Sequence, residues 1–354
     1  MKKIICIIVI LIITFNVSFI FNKKISFSES ENRYLTSFPE FCIDSLLSGD
    51  YISNIESYIN DHFPLRSTFL SFKTDLELLL NKSKINNVYV NKDNMFLEYN
   101  SVSNKKDIVD VINKFNESIN IKNSLLLVPS SGVINSNLLP SYVSYDKEVS
   151  DYNYICNNVS FGCVNVIDGL KEDSMDTNLY FKTDHHYNIY GAYSVYKSFI
   201  KDYKKLEFTL ASDKFNGTLG SKTNIYNIYD KLYYYEPLYD ISVKYFNKDN
   251  TINTLYDESY LNKKDKYSYY FGGNHALFTI EVNNNLDKEI LILKDSFANS
   301  MIPFLTNHFS KIHVIDLRFY NVAVSDYVRD NNIGEVLFLY SVNGLNESSI
   351  TKLR

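Results

Sequence analysis

An α/β fold, with a central sheet covered by helices on both faces as a three-layer α/β/α sandwich, is what this sequence predicts. Short runs that are apolar throughout recur at Ser124–Val128, Val164–Ile167, Glu289–Leu293, Ile312–Ile315 and Glu335–Tyr340. Stretches with apolar residues at helical spacing separate them, among them one with Ile189, Ala192, Tyr193, Tyr196 and Ile200 on one face. Strands apolar on both sides need cover on both faces, which is the mark of parallel strands joined through helices. A chain of 354 residues, 45% of them hydrophobic, can bury the core that such a sheet requires.

The elements follow in chain order. Lys2 and Lys3 precede a run from Ile4 to Phe21 broken only by Thr14, Asn16 and Ser18. A membrane span needs about 20 apolar residues, and no small-residue cleavage site precedes Asn22-Lys23-Lys24. Residues 1–24 are therefore expected to be an uncleaved signal-anchor, a single transmembrane segment that leaves the body outside the cell membrane. Residues 25–100 read as an extension packed on the main domain. Within it Ser28–Phe41 is polar and irregular, and Ile52–Leu80 has helical spacing (Ile55, Tyr58, Ile59, Phe63, Leu70, Phe72, Leu76, Leu79) that Pro64 divides into two helices. Val88-Tyr89-Val90 and Met95-Phe96-Leu97, on either side of Asn91–Asn94, read as a hairpin. Residues 101–354 form the main domain, beginning with a helix at Ile108–Ile119. Its later helices are expected at Ala298–Phe309 and Val322–Asp330. A stretch at about 208–285, rich in Tyr and Asn, with Gly217, Gly220, Gly272 and Gly273 and the alternating Lys266-Tyr267-Ser268-Tyr269, reads as a β-rich insertion joining the two halves of the sheet.

Composition excludes some functions. A net charge of −5 gives no basic footprint for a phosphate backbone, so nucleic acid is not a partner. The lysine clusters Lys201–Lys205 and Lys263–Lys266 read as solvated faces. Cys6 lies in the apolar run, whereas Cys156 and Cys163 enclose a loop short enough for a disulfide in an oxidising compartment. No Cys/His spacing resembles a zinc site, and no cofactor is called for.

Two polar stretches carry chemistry. Ser296 follows the run Glu289–Leu293 and opens a helix, where amides and dipole favour a developing oxyanion. The same position suits an N-cap serine. Asp184 and His186, two residues apart, also precede a helix. A serine hydroxyl is a weak nucleophile until a base takes its proton, and the base works best when a carboxylate fixes its tautomer. His185 is an alternative base, and all three residues also suit a polar loop. Metal binding by His185 and His186 is disfavoured, because consecutive residues rarely converge on one ion and no third ligand suggests itself.

Taken together, Thr183-Asp184-His185-His186, Asp295-Ser296-Phe297-Ala298-Asn299-Ser300 with Pro303-Phe304-Leu305, and Ile315-Asp316-Leu317-Arg318 resemble the DHHW family of bacterial exported proteins. Further matches are Glu31-Asn32-Arg33, Asp61-His62-Phe63-Pro64-Leu65-Arg66 and Phe271-Gly272-Gly273-Asn274-His275. That family is similar to the alginate O-acetyltransferase proteins (AlgJ/AlgX-like), which have an SGNH-hydrolase-like fold. The resemblance implies a Ser296 nucleophile, His186 as base and Asp184 as its partner. Asp and His precede Ser here, the reverse of ordinary SGNH hydrolases, which implies a permuted arrangement. Tyr187 stands where the family name expects Trp, and is expected to pack the pocket or stack on a sugar. The Ser296 amide and the Asn274 side chain are the candidate oxyanion donors, although Gly272-Gly273-Asn274 also reads as a turn. Arg318 and Arg66 suit acidic sugars or structural ion pairs. The implied activity is an exported acyltransferase that acetylates a cell-surface or extracellular polysaccharide through acetyl-Ser296, with a membrane-bound O-acyltransferase partner supplying the acetyl group. The rival readings are a carbohydrate acetyl-esterase using the same residues and a non-catalytic polysaccharide-binding scaffold.

Overall fold

The computed structural model describes residues 2–354 except Lys23, Asn32, Asn94, Asn247, Asp249 and Ser348. Asn32 of the Glu31-Asn32-Arg33 motif, Asn94 of the expected hairpin turn and Lys23 at the end of the expected anchor thus lie outside the described residues. At the centre is an eight-stranded sheet. Its strands, in chain order, are β1 (Lys122–Val128), β2 (Gly162–Cys163), β3 (Ile241–Tyr245), β4 (Thr251–Ile252), β5 (Leu277–Val282), β6 (Glu289–Lys294), β7 (Lys311–Ile315) and β8 (Glu335–Ser341). They lie side by side as β4-β3-β5-β7-β6-β8-β1-β2.

From β7 to β2 the pairs are parallel, while β4, β3 and β5 add an antiparallel wing through β5 and β7. The sheet is thus mixed. The expected insertion does not bridge two halves; three of its strands extend one edge of the same sheet. Its other long strands, Thr209–Phe215 and Asp230–Tyr234, form a separate antiparallel pair. The alternating stretch around Tyr267 is not a strand but a 3-10 turn, Lys266–Tyr269, because Asp265 caps it through the Ser268 amide. The expected strand Val164–Ile167 is shorter and earlier, at Gly162–Cys163, and Ile167 already starts a helix. The expected helix Ala298–Phe309 is broken into a 3-10 turn, Ser296–Ser300, and a short helix, Ile302–Leu305.

Every residue of β8 is buried, so both sheet faces are covered. Phe338 of β8 meets Phe115 of the helix Lys105–Ile119 edge to face at 6.0 Å. Helix Ile189–Phe199 packs its Tyr196 ring on Phe304 at 5.5 Å. Cys156 and Cys163 are disulfide-bonded, with Cα atoms 5.2 Å apart, which ties helix Asp146–Asn158 to β2.

Among the described residues the amino-terminal region holds four helices: α1 (Lys2–Phe21), α2 (Ile43–Ser48), α3 (Asp50–Asp61) and α4 (Arg66–Leu79). Among the described residues no helix is long and apolar enough to cross a membrane, so the structure lends the expected anchor no support. Pro64 falls in the turn between α3 and α4. Arg33 pairs with Asp61 at 2.5 Å and Arg66 with Glu31 at 2.9 Å. Arg66 thus serves a structural ion pair. A three-stranded sheet, Lys84–Ile85, Val88–Val90 and Phe96–Glu98, follows.

One buried acid gives the fold a pH signature. Glu148 is fully buried, and its oxygens accept the N–H and O–H of Ser130, each at 2.7 Å. Burial outweighs these bonds and pushes its pKa up to about 7. The folded state therefore holds a proton that the unfolded chain has released above its ordinary value, so stability falls as pH rises through this window. Glu148→Gln is expected to shrink the difference in unfolding free energy between about pH 4.5 and pH 8 by roughly 3 kcal/mol. Denaturant titrations at the two pH values measure this; an unchanged difference rules the assignment out.

Candidate active site

Four adjacent parallel strands end at one edge of the sheet, and the residues just past them build the site. β1 runs on to Ser130, β6 to Ser296, β7 to Arg318 and β8 to Asn343, and these residues, with Glu98 and His185, line one cleft. Open α/β sheets bind ligands at this edge.

Asp295 shapes the nucleophile turn. Its buried carboxylate accepts the Phe297 amide at 2.9 Å, the Ser341 amide at 2.8 Å and the Ser341 hydroxyl at 2.7 Å. The N-cap is thus Asp295, not Ser296, and the Ser296 hydroxyl is left for other chemistry. Behind the turn, Lys294 is fully buried. Its ammonium donates to Asn274 Oδ1 at 2.7 Å and Asn299 Oδ1 at 2.8 Å and lies 3.6 Å from Asp316. Burial draws its pKa down to about 8 against the pull of Asp316.

His186 Nε2 lies 2.7 Å from Ser296 Oγ, and His186 Nδ1 lies 2.6 Å from Asp184 Oδ1. A carboxylate only accepts, so Nδ1 carries the proton and Nε2 faces the serine hydroxyl as acceptor. Tyr267 stacks on the imidazole, with centroids 3.8 Å apart and planes 9° from parallel, and its hydroxyl donates to the Ser296 carbonyl at 3.0 Å. One side chain therefore fixes both the ring and the backbone of its partner.

Asp184 is 1% exposed. Besides the His186 ring it binds the His186 amide at 3.0 Å, the Thr218 amide at 2.8 Å and the Thr218 hydroxyl at 3.0 Å. Burial acts to raise its pKa, but the His185 and His186 rings, the His186 hydrogen bond and the Thr218 amide prevail and hold it well below the ordinary carboxylate range. It stays an anion. Neighbouring Thr183 gives its amide and hydroxyl to Asp230 at 2.8 and 2.7 Å and accepts the Gly217 amide at 3.0 Å. A side chain at Gly217 would put Cβ 2.3 Å from Asp184 Cβ and Oδ2.

The remaining sequence candidates fall as follows. His185 points its Nδ1 at Thr218 Oγ1, 2.7 Å away, so His186 is the imidazole against Ser296. Burial lowers the His185 pKa, aided by His186 and opposed by Asp184, although 38% of its side chain stays exposed at the cleft. Against the expectation that the two histidines lack a third ligand, Asp184, His185 and His186 set ligand atoms within 4.8 Å of one another, a grouping that could hold a cation. Coordination through either His186 nitrogen would break its bond to Asp184 or to Ser296. Tyr187 is fully buried and packs edge to face on Phe297 at 5.2 Å, so it cannot stack on a sugar; the expectation of substrate contact is corrected. Asn274 turns its carboxamide oxygen to Lys294 and Asn299 and is not among the residues that line the cleft. Arg318 does line it, while pairing with Asp316 at 2.6 and 2.9 Å. Lys264, expected on a solvated face, donates to the Asn216 carbonyl at 2.6 Å, and burial draws its pKa down to about 8.

The fold and site define a mixed α/β-sheet protein with a hydrogen-bonded Ser-His-Asp chain at the carboxyl edge of its parallel strands. Residues 79–315 match the family described as DHHW protein, and the chain belongs to that family. Among solved structures, a DHHW family protein from Eubacterium siraeum is similar at a TM-score of 0.68, with 23% identity over 76% of this chain and 95% of that one. Bacillus cereus PatB1 with a sulfonyl adduct gives 0.62 and 23% over 75% of this chain and 100% of that one. At such identities the likeness is one of fold. The O-acetyltransferase domain of Pseudomonas putida AlgJ is more distant, at 0.47 and 9% over 73% of this chain and 92% of that chain. A search of curated proteins finds no match.

Gly217→Ala is expected to push the Asp184 carboxylate out of line and slow sulfonylation of Ser296 by a sulfonyl fluoride at least about 100-fold, since a positioned base contributes roughly 10²–10⁴. Intact-protein mass spectrometry follows the adduct, and a rate equal to wild type refutes the dependence on Asp184. Tyr267→Phe, which keeps the stacked ring, is expected to retain more of that rate than Tyr267→Leu.

Proposed function

We propose that this protein is an O-acetyltransferase that modifies a cell-surface or extracellular polysaccharide through an acetyl-Ser296 intermediate, on a permuted SGNH-hydrolase-like fold. The observation that carries this reading is the chain Ser296 Oγ, His186 Nε2, His186 Nδ1, Asp184 Oδ1, with steps of 2.7 and 2.6 Å, opening on a cleft lined mostly by polar side chains. Membership in the DHHW family is in keeping with it. Polar walls suit a hydroxyl-rich acceptor better than an apolar one.

In this reading His186 takes the Ser296 proton as Oγ attacks the acetyl carbonyl of the donor. The Ser296 amide, at the start of its turn, is the expected donor to the oxyanion. Collapse of the tetrahedral intermediate expels the donor's leaving group, which takes the proton from His186 and leaves acetyl-Ser296. A sugar hydroxyl then gives its proton to His186 and attacks the acetyl carbonyl. The acetyl passes to the sugar, and Ser296 Oγ recovers the proton. Asp184 stabilises the imidazolium in both halves. Arg318 is the proposed contact for the acceptor. The disulfide supports an extracytoplasmic body, and the apolar run Ile4–Phe21 of the sequence, flanked by lysines, speaks for a place at the cell membrane. There a membrane-bound O-acyltransferase partner would present the acetyl group.

The test incubates the protein with a small acetyl-ester donor and a glycan oligosaccharide and reads products by mass spectrometry. Wild type is expected to add one acetyl group to the glycan, and Ser296→Ala is expected to add none. Donor consumption through Ser296 with no glycan product, across neutral and acidic oligosaccharides, would replace transfer with ester hydrolysis. Equal products from both variants would remove Ser296 from the chemistry.

A further inference from the structure

Helix α4 turns most of its apolar side chains away from the protein. Ser71 donates its hydroxyl to the Asn224 carbonyl and Thr74 to the Thr223 carbonyl, each at 2.9 Å, and Leu78 on the same side packs against the small cluster of Val88, Phe96, Leu219 and Ile225. Thr74 is its buried residue. Phe69, Phe72, Leu76 and Leu79, three and four residues apart, share the opposite side and are 57%, 59%, 43% and 77% exposed. Leu65 and Leu80 extend this stripe at either end. A surface helix ordinarily turns such a stripe to the core, and a contiguous exposed one marks an interaction surface.

The neighbouring chain indicates what covers it. Helix α1 is apolar along its length, with Ile4, Ile7, Ile10, Ile13, Val17, Ile20 and Phe21 all exposed. Among the described residues no helix is long and apolar enough to cross a membrane, but an exposed apolar helix also finds cover by lying at a lipid surface. Its carboxyl end is fixed at the corner that leads into α4: Phe19 packs on Tyr58 with centroids 6.4 Å apart, and the Asn22 carboxamide donates to the His62 carbonyl at 3.1 Å. At that corner Phe63 meets Phe69, the first aromatic ring of the stripe, at 5.7 Å. Ring contacts on both sides of this corner thus bring the end of α1 near the start of the stripe. We infer that the α4 stripe is a membrane-docking surface, which lies against the lipid that receives α1 and holds the body close to the bilayer. An amphipathic face of this kind sinks about 5–10 Å into the headgroup and acyl boundary.

The sequence contains no Trp, so one introduced Trp is a sole reporter. The full chain carrying Phe72→Trp is mixed with phosphatidylglycerol/phosphatidylethanolamine vesicles, with Phe69→Trp as a second reporter and Phe246→Trp, in the main body, as control. The expected result is a blue shift and quenching by brominated acyl chains for the Phe72→Trp and Phe69→Trp proteins, with loss of quenching by aqueous acrylamide, and neither change for Phe246→Trp. The inference is overturned if the protein floats with the vesicles while the reporters of Phe72→Trp and Phe69→Trp stay open to acrylamide, since α1 alone then holds it. It is equally overturned if the protein does not float. A blue shift in vesicle-free solution that rises with protein concentration, alongside dimers in sedimentation, would assign the stripe to a second copy of this chain instead.

Discussion

The charge on Asp184 is the constraint around which the site is arranged. A carboxylate taken out of water costs several kcal/mol unless each oxygen is satisfied. Here Oδ1 receives the His186 ring and amide, and Oδ2 receives both donors of Thr218. Thr218 can reach it only because residue 217 has no side chain. Thr183, beside the acid, is bolted in turn to Asp230. The chain from 208 onward is therefore not decoration on the sheet: it wraps the acid that orients the base.

The nucleophile reaches the same place from the other direction. Strand β6 ends on the buried Lys294, and the turn after it is held by Asp295, whose carboxylate is bound to Ser341 at the end of β8. Adjacent parallel strands thus fix Ser296 by their register. Tyr267 then joins the two halves, stacking on His186 while binding the Ser296 carbonyl. The two buried carboxylates that hold these halves differ in electrostatics. Burial raises the pKa of Asp295 although Ser341 and Phe297 donate to it, whereas adjacent imidazoles hold that of Asp184 down.

Much of the sheet is legible in the sequence because buried parallel strands are apolar throughout, as at 124–128, 289–293 and 335–340. Where context outweighs pattern, the reading fails. Lys266–Tyr269 alternates like a strand, yet the Asp265 cap winds it into a turn that delivers Tyr267 to the site. The helical spacing in α4 has the form of a core face, but Ser71, Thr74 and Leu78 face the protein while Phe69, Phe72, Leu76 and Leu79 face outward. Tyr187 has the place of a pocket aromatic in its motif and is instead buried behind Phe297.

By itself the sequence determined the composition of the site. It placed an acid and an imidazole two residues apart, put a serine directly after an apolar strand, and carried a pattern that marks the DHHW family. Those are local facts, set by residue type and spacing. Only the tertiary structure decided which histidine meets the serine, which groups satisfy Asp184, and which tyrosine stacks on the base. Such choices depend on contacts between segments far apart in the chain, and no local period encodes them: His186 and Ser296, or Thr183 and Asp230, become neighbours only when the sheet edge and its wrapping strands close together.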